Sequence, residues 1–225
     1  KINAVRLINV NYNNNAYRIS DETLHFNGKS TLISLQNGGG KSVLVQMLTA
    51  PFVHPKYRNT KDRLFESYFT TNKPSFILVE WALDQGAGYV LTGLMVRKSQ
   101  DMEEDRKENL DIIGIVSEYQ SPCIQDIHHL PVVEKGKKEM ILKNFNSCRQ
   151  LFETYKKDRD MKFFYYDLTN YAQSRQYFNK LMEYQINYKE WETIIKKINL
   201  KESGLSDLFA DCKDEKGLTE KWFLE

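Results

Sequence analysis

Hydrophobic positions along the chain recur with two spacings, one suited to strands and one to helices. Residues 2–10 and 30–35 are β-branched and aliphatic runs bounded by Asn and Gly, which read as strands, with shorter extended pieces at 16–19 and 23–26. The run Asn13-Asn14-Asn15 and the pair Asn27-Gly28 are turn signals, because Asn and Gly tolerate left-handed backbone. Residues 42–49 are apolar enough for a buried helix, and Pro51 disfavours helical geometry at Ala50. Strand, Gly-rich loop and helix therefore follow one another here. Two more strands, 75–83 and 88–97, flank the hairpin-like connection Asp84-Gln85-Gly86-Ala87, and 110–118 predicts a third. Residues 99–109 mix acids and bases and read as a solvated loop or helix start. In the second half, 162–168 has strand character, while 174–184 and 188–198 have helical spacing that puts Trp191, Ile194, Ile195 and Ile198 on one face. A further helix is predicted over 217–225, with no capping residue after it, as if the natural chain continued.

The chemistry is concentrated in Leu35-Gln36-Asn37-Gly38-Gly39-Gly40-Lys41-Ser42. The P-loop pattern G-x-x-x-x-G-K-[ST] is met except at Leu35, which stands where the first glycine usually is. Consecutive unhindered N–H groups at Gly38, Gly39 and Gly40 can curl around phosphate oxygens, Lys41 can reach the β and γ phosphates, and the Ser42 hydroxyl can ligate magnesium. A flexible glycine turn followed by a chance Lys-Ser is the plainer alternative. The predicted strand before it and apolar helix after it favour the nucleotide loop.

A kinase or GTPase continues from its P-loop helix into alternating helices and parallel strands, whereas here strands joined by a short turn follow. At this point the chain resembles the N-terminal part of SMC-like ABC-type ATPase heads: structural maintenance of chromosomes proteins, double-strand-break repair ATPases, and bacterial MukB-like and Wadjet-type defence ATPases. Their typical loop, Gly-Pro-Asn-Gly-Ser-Gly-Lys-Ser, is matched by Asn37, Gly38, Gly40, Lys41 and Ser42, while Leu35, Gln36 and Gly39 depart from it. The opening Ile2-Asn3-Ala4-Val5-Arg6-Leu7-Ile8-Asn9-Val10 resembles their first strand. The stretch from Asn199 to Phe209 has the cadence of the repair ATPases' Q-loop, with Glu202 in place of the glutamine. Glu202 is then either a direct or water-mediated magnesium ligand or an ordinary surface glutamate near a helix start.

The resemblance implies an α/β fold with a mixed sheet, antiparallel strands after the P-loop helix and a helical C-terminal part. Residues 1–98 form its nucleotide-binding β-rich core, 99–161 an insertion matching nothing in the family, and 162–225 a helical part leading to a coiled coil. ATP and magnesium are the implied ligands, held by Asn37, Gly38, Gly39, Gly40, Lys41, Ser42 and Val43, with Arg58 as an arginine near the nucleotide. Lys41 is the implied catalytic residue, and Ser42 and Glu202 the metal ligands. The implied partners are the C-terminal half of the same head, a second head in a homodimer, DNA and accessory subunits, with no membrane. The chain has no Leu-Ser-Gly-Gly-type signature and no apolar run ending in Asp-Glu after the P-loop; Phe76-Ile77-Leu78-Val79-Glu80 is the nearest imitation and reads as a core strand.

Composition narrows the picture a little further. With 41% hydrophobic and 28% charged residues, the 225-residue chain is that of a globular protein, and its net charge of +2 gives no global field for nucleic acid. Local basic clusters remain, chiefly Lys56, Arg58, Lys61 and Arg63, which suit a nucleotide, DNA phosphate or plain solvent, and more weakly Lys135, Lys137 and Lys138. Cys123, Cys148 and Cys212 are scattered and odd in number, which argues for a reducing cytoplasm and against a disulfide framework or zinc site. His25, His54, His128 and His129 lack metal spacing and read as structural or surface residues. The rival readings are a regulatory module that holds nucleotide without turnover and a P-loop phosphotransferase.

Overall fold

The structure is a computed structural model that describes residues 1–12, 15–33, 40–60, 63–100 and 108–200, the side chains of 198–200 excepted. Its centre is a six-stranded sheet built from β1 (Ile2–Tyr12), β2 (Tyr17–His25), β3 (Ser75–Ala82), β4 (Tyr89–Lys98), β5 (Leu110–Tyr119) and, later in the chain, β8 (Lys162–Asp167). The order is β2-β1-β3-β4-β5-β8, and all five pairings are antiparallel. The two short extended pieces predicted at 16–19 and 23–26 are one strand, β2, because they share a single register against β1. Residues 110–119, a predicted strand that lies within the insertion expected over 99–161, form an inner strand of this same sheet. The α/β class and the antiparallel strands after the first helix are as the sequence suggests; the parallel pair implied by a mixed sheet is absent among the described residues.

Both faces of the sheet are covered, so its inner strands read as nearly continuous apolar runs. One face carries Ile77 and Val79 of β3, Val90 and Leu94 of β4, and Ile112 and Val116 of β5. Against it pack α1 (Lys41–Thr49), α3 (Tyr171–Glu183) and α4 (Tyr188–Leu200), the last through Trp191. The other face carries Phe76 and Leu78, Leu91 and Met95, and Ile113 and Ile115. It is closed by α2 (Phe145–Lys157), through Cys148 and Phe152, and by the loop that holds Ile127, Leu130 and Val132. A small hairpin of β6 (Val133–Lys135) and β7 (Met140–Leu142) completes the fold.

Two local devices fix this layering. At Asn9 the backbone takes φ 56°, which breaks the two-residue alternation so that Val5, Leu7 and Val10 all reach the face covered by α1. The Asn9 amide donates to the Pro74 carbonyl at 3.2 Å, and Ser75 Oγ donates to the Asn9 carbonyl at 2.5 Å, so the irregularity is pinned to β3. On β5, a Cβ at Gly114 would lie 2.7 Å from the Tyr177 ring, so only glycine lets α3 approach this closely. Tyr177 is fully buried there, and its hydroxyl donates to the Pro51 carbonyl at 2.8 Å.

The strand predicted over 30–35 is not formed at 30–33, which are irregular, with Leu32 92% exposed; 34 and 35 lie outside the described residues. Polar Ser30 and Thr31 leave only two apolar side chains in the described part of that run, and none of the described strands pairs with it. The helix predicted over 217–225 lies outside the described residues, as does the side chain of Ile198.

Candidate nucleotide site

The N-terminus of α1 is where the sequence places the chemistry. Gly40 precedes the helix with φ 86° and ψ 16°, a left-handed conformation that favours glycine, and its carbonyl accepts the first helical bond from Leu44 N–H at 2.8 Å. The helix has no side-chain cap and no acidic residue in its first turn. The N–H groups of Lys41, Ser42 and Val43 have no intrahelical acceptor, as at any helix start, and hydrogen-bond to no described residue. Lys41 and Ser42 are exposed, whereas the Val43 side chain is buried in the core, so Val43 can offer a ligand only its backbone. An anion placed here would meet backbone donors, the positive end of the helix, an ammonium group and a hydroxyl. Asn37, Gly38, Gly39 and Glu202 lie outside the described residues.

Tyr12, at the end of β1, backs this corner: a Cβ on Gly40 would stand 3.6 Å from its ring. Tyr12 in turn stacks on Tyr17 with centroids 5.3 Å apart and planes 21° from parallel. The helix is held from behind by Gln46, which is buried among three partners. Its amide donates to the carbonyls of Arg58 at 2.7 Å and Arg63 at 3.4 Å, and its oxygen accepts from the Tyr68 hydroxyl at 2.7 Å.

Arg58 is not where the resemblance puts it. Its side chain turns inward, the residue is 2% exposed, and Nε donates to the Ala50 carbonyl at 3.1 Å, at the far end of α1. Ten residues of helical rise separate Gly40 from Ala50, about 15 Å. The guanidinium lies 5.7 Å from the Phe65 centroid and interacts with the Glu108 carboxylate. Burial lowers the Arg58 pKa, and burial raises that of Glu108, where the neighbouring Arg58 works in the opposite direction. Arg58 thus tethers the C-terminal end of α1, where the helix dipole favours a cation. Arg63, also in the basic cluster, is exposed and lies beside the Tyr68 hydroxyl, one partner of Gln46. Sequence alone could not separate the two, because inward and outward arginines in an irregular segment have no periodic signature. Lys61 lies outside the described residues.

The remaining candidates fall elsewhere. Glu80 is a buried core residue of β3 that accepts from Asn3 Nδ2 at 2.7 Å and from the Tyr119 hydroxyl at 2.5 Å. On the α2 side, Asp126 is fully buried and binds the N–H groups of Cys123, His128 and His129 and the His129 ring, at 2.8–2.9 Å. His25 and His128 stack at 5.1 Å, and among the described residues no cluster of three metal-ligating side chains occurs. An open cleft of about 780 Å³ lined by Lys1, Ile2, Phe26, Lys29, Thr31 and Leu48 touches α1 two turns beyond Lys41 rather than at it. No described helix is long and apolar enough to cross a membrane.

A scan against protein-family models finds no match, and a search of curated proteins finds none either.

Proposed function

We propose that this chain binds ATP with magnesium at the N-terminus of α1 and belongs to an SMC-like ATPase head as its N-terminal part. The observation that carries the reading is the uncapped helix start, with Gly40 left-handed and Lys41 and Ser42 exposed beside three N–H groups that bond to no described residue. Asn37, Gly38 and Gly39 would continue the phosphate cradle and Ser42 would ligate magnesium, joined by Glu202 if it acts as the Q-loop residue. Arg63, rather than Arg58, is the described arginine of this segment able to reach outward, and the Tyr12–Tyr17 pair offers a flat face for a base. The complete ATPase would need a C-terminal half with its Walker B acid, and a second head whose signature loop closes over the triphosphate. ATP-driven engagement of two heads would then clamp or move DNA, in chromosome organisation, repair or defence against plasmids and phage.

Titration of ATP and magnesium into the chain in a calorimeter is expected to give saturable one-to-one binding, and an absence of heat with folded protein would end the reading. Turnover by this chain alone should stay far below about 1 per second, because the P-loop reaches the γ-phosphate from one side only. A rate at or above that value, abolished by Lys41→Ala, would point to a phosphotransferase or a complete ATPase instead.

A further inference from the structure

The open cleft of about 780 Å³ beside the Asn27-Gly28 turn is of the size that small-molecule sites have, about 300–1,000 Å³. Three separate stretches of chain form its apolar floor. β1 contributes Ile2, the residue after β2 contributes Phe26, and α1 contributes Leu48. All three are half-buried at the margin of the core, so each packs inward with one side and leaves apolar surface in the cleft wall with the other.

The rim is cationic. A Cβ built on Gly28 would lie 3.8 Å from Lys1 Cβ, so the Lys1 side chain runs alongside the turn that presents Lys29. Both lysines are exposed, and no ion pair among the described residues uses either ammonium. No acid is among the described residues that line the cleft, and Ser30 adds an exposed hydroxyl able to donate. The backbone donors of the turn, in contrast, are already engaged. Phe26 and Asn27 N–H donate to the Asn3 carbonyl at 2.8 and 3.0 Å, Gly28 N–H to that of Ile2 at 3.1 Å, and Lys29 N–H to that of Phe26 at 3.0 Å. The cleft thus lacks the cradle of N–H groups that a phosphate selects. Ammonium groups on flexible stems above an apolar floor suit a carboxylate whose apolar tail leaves water.

We propose that this cleft binds an amphiphilic carboxylate, with its head between Lys1 and Lys29 and its tail over Ile2, Phe26 and Leu48. The inference does not depend on ATP binding: Leu48 lies seven residues along α1 from Lys41, about 10 Å of helical rise. The test is calorimetry with sodium decanoate below its micelle concentration. The wild-type chain should bind it saturably, one to one. Lys1→Ser/Lys29→Ser should bind at least about tenfold more weakly at low salt and lose most of the salt dependence. Lys156→Ser/Lys157→Ser, the same charge change on α2 across the sheet, should bind as wild type does. The tail is read without a variant: hexanoate, four methylenes shorter, should bind the wild type at least about tenfold more weakly. No saturable binding by the wild type, equal losses in both double variants, an unchanged first variant, or equal affinity for hexanoate would each overturn the proposal. So would decylamine binding as tightly as decanoate, or displacement of decanoate by inorganic phosphate at constant ionic strength. Competitive displacement by ATP and magnesium would also overturn it, because the cleft would then belong to the nucleotide. Decanoate binding that persists in saturating ATP supports a separate site, and decanoate binding by a chain that takes no ATP leaves the cleft standing while the nucleotide site falls.

Discussion

Helices α1 and α2 lie on opposite faces of one sheet, and they begin in opposite ways. Asn144 caps α2, its side chain accepting from Ser147 N–H at 2.8 Å, and Lys156 and Lys157 sit in the last turn, so both ends of the helix dipole are answered. Helix α3 repeats the device with Asn170 and Gln173 N–H at 3.1 Å. Helix α1 has a left-handed glycine where those helices have asparagine, and no described residue caps its first N–H groups. Forgoing a cap costs about 1 kcal/mol of local stability. A helix used only for packing gains nothing from that loss, whereas one that receives an anion requires it, since a side-chain cap would occupy the same donors.

The largest effect that would sharpen the contrast is on ligand affinity. Lys41→Ala should weaken ATP binding about 100-fold while leaving thermal unfolding unchanged, because the exposed ammonium contributes to the ligand and not to the core. Equal affinity in calorimetry would break the comparison at its first term. Next in size is Gln46→Leu, which leaves the Tyr68 hydroxyl and the Arg58 carbonyl without partners and should cost about 2–3 kcal/mol in urea unfolding.

On the α2 side, the corresponding buried polar residue is Asp126. Burial pushes its pKa up, but the N–H of Cys123, the His129 ring and the N–H groups of His129 and His128 outweigh it and hold the carboxyl below its usual value. A depressed carboxyl contributes stability that is complete above its unfolded pKa of about 3.9 and lost as pH falls through its folded value. Asp126→Asn should therefore be less stable than wild type at neutral pH, with the gap narrowing as denaturation is repeated below about pH 3.9. A gap independent of pH would remove Asp126 from the acid response.

The smallest effects test the caps directly. Gly40→Ala should cost about 1 kcal/mol from left-handed backbone alone, since its Cβ would make only ordinary contact with Tyr12. Asn144→Ala should cost about 1 kcal/mol, and Ser42→Ala close to nothing, in chemical denaturation. A substantial loss in Ser42→Ala would show that its hydroxyl has a structural role in the fold.

The sheet was legible because its strands announce themselves twice, through apolar runs and through the turns between them. Residues predicted at 75–83, 88–97, 110–118 and 162–168 agree with β3, β4, β5 and β8 to within one or two positions. Asn27 and Gly28 take positive φ, closed by a Lys29 N–H to Phe26 carbonyl bond, as the dipeptide predicts. Helix α2 went unread inside the insertion expected over 99–161: Phe145, Cys148, Phe152 and Tyr155 do recur at helical spacing, but Arg149, Glu153, Lys156 and Lys157 between and after them dilute the apolar pattern. The candidate site was legible in its residue types at 40–42. Which arginine turns inward was not, because that depends on Gln46 meeting the carbonyls of Arg58 and Arg63, and on the Ala50 carbonyl meeting Arg58 Nε, contacts made across the chain and not along it.

The order of strand pairing also sets an order in time. β3 pairs with β4 and β4 with β5, each with its immediate successor in sequence, and the turn from Ala82 to Tyr89 is short, so this meander closes small loops and loses little chain entropy in forming. β8 reaches β5 only after residues 120–161, including α2, have found their places. The meander is thus the natural nucleus, and the β8 edge with α3 and α4 condenses onto it later. The packing of α4 against the segment after α1, where Glu192 accepts from the His54 N–H, would then be among the last features of the molecule to form and the first to be lost when it opens.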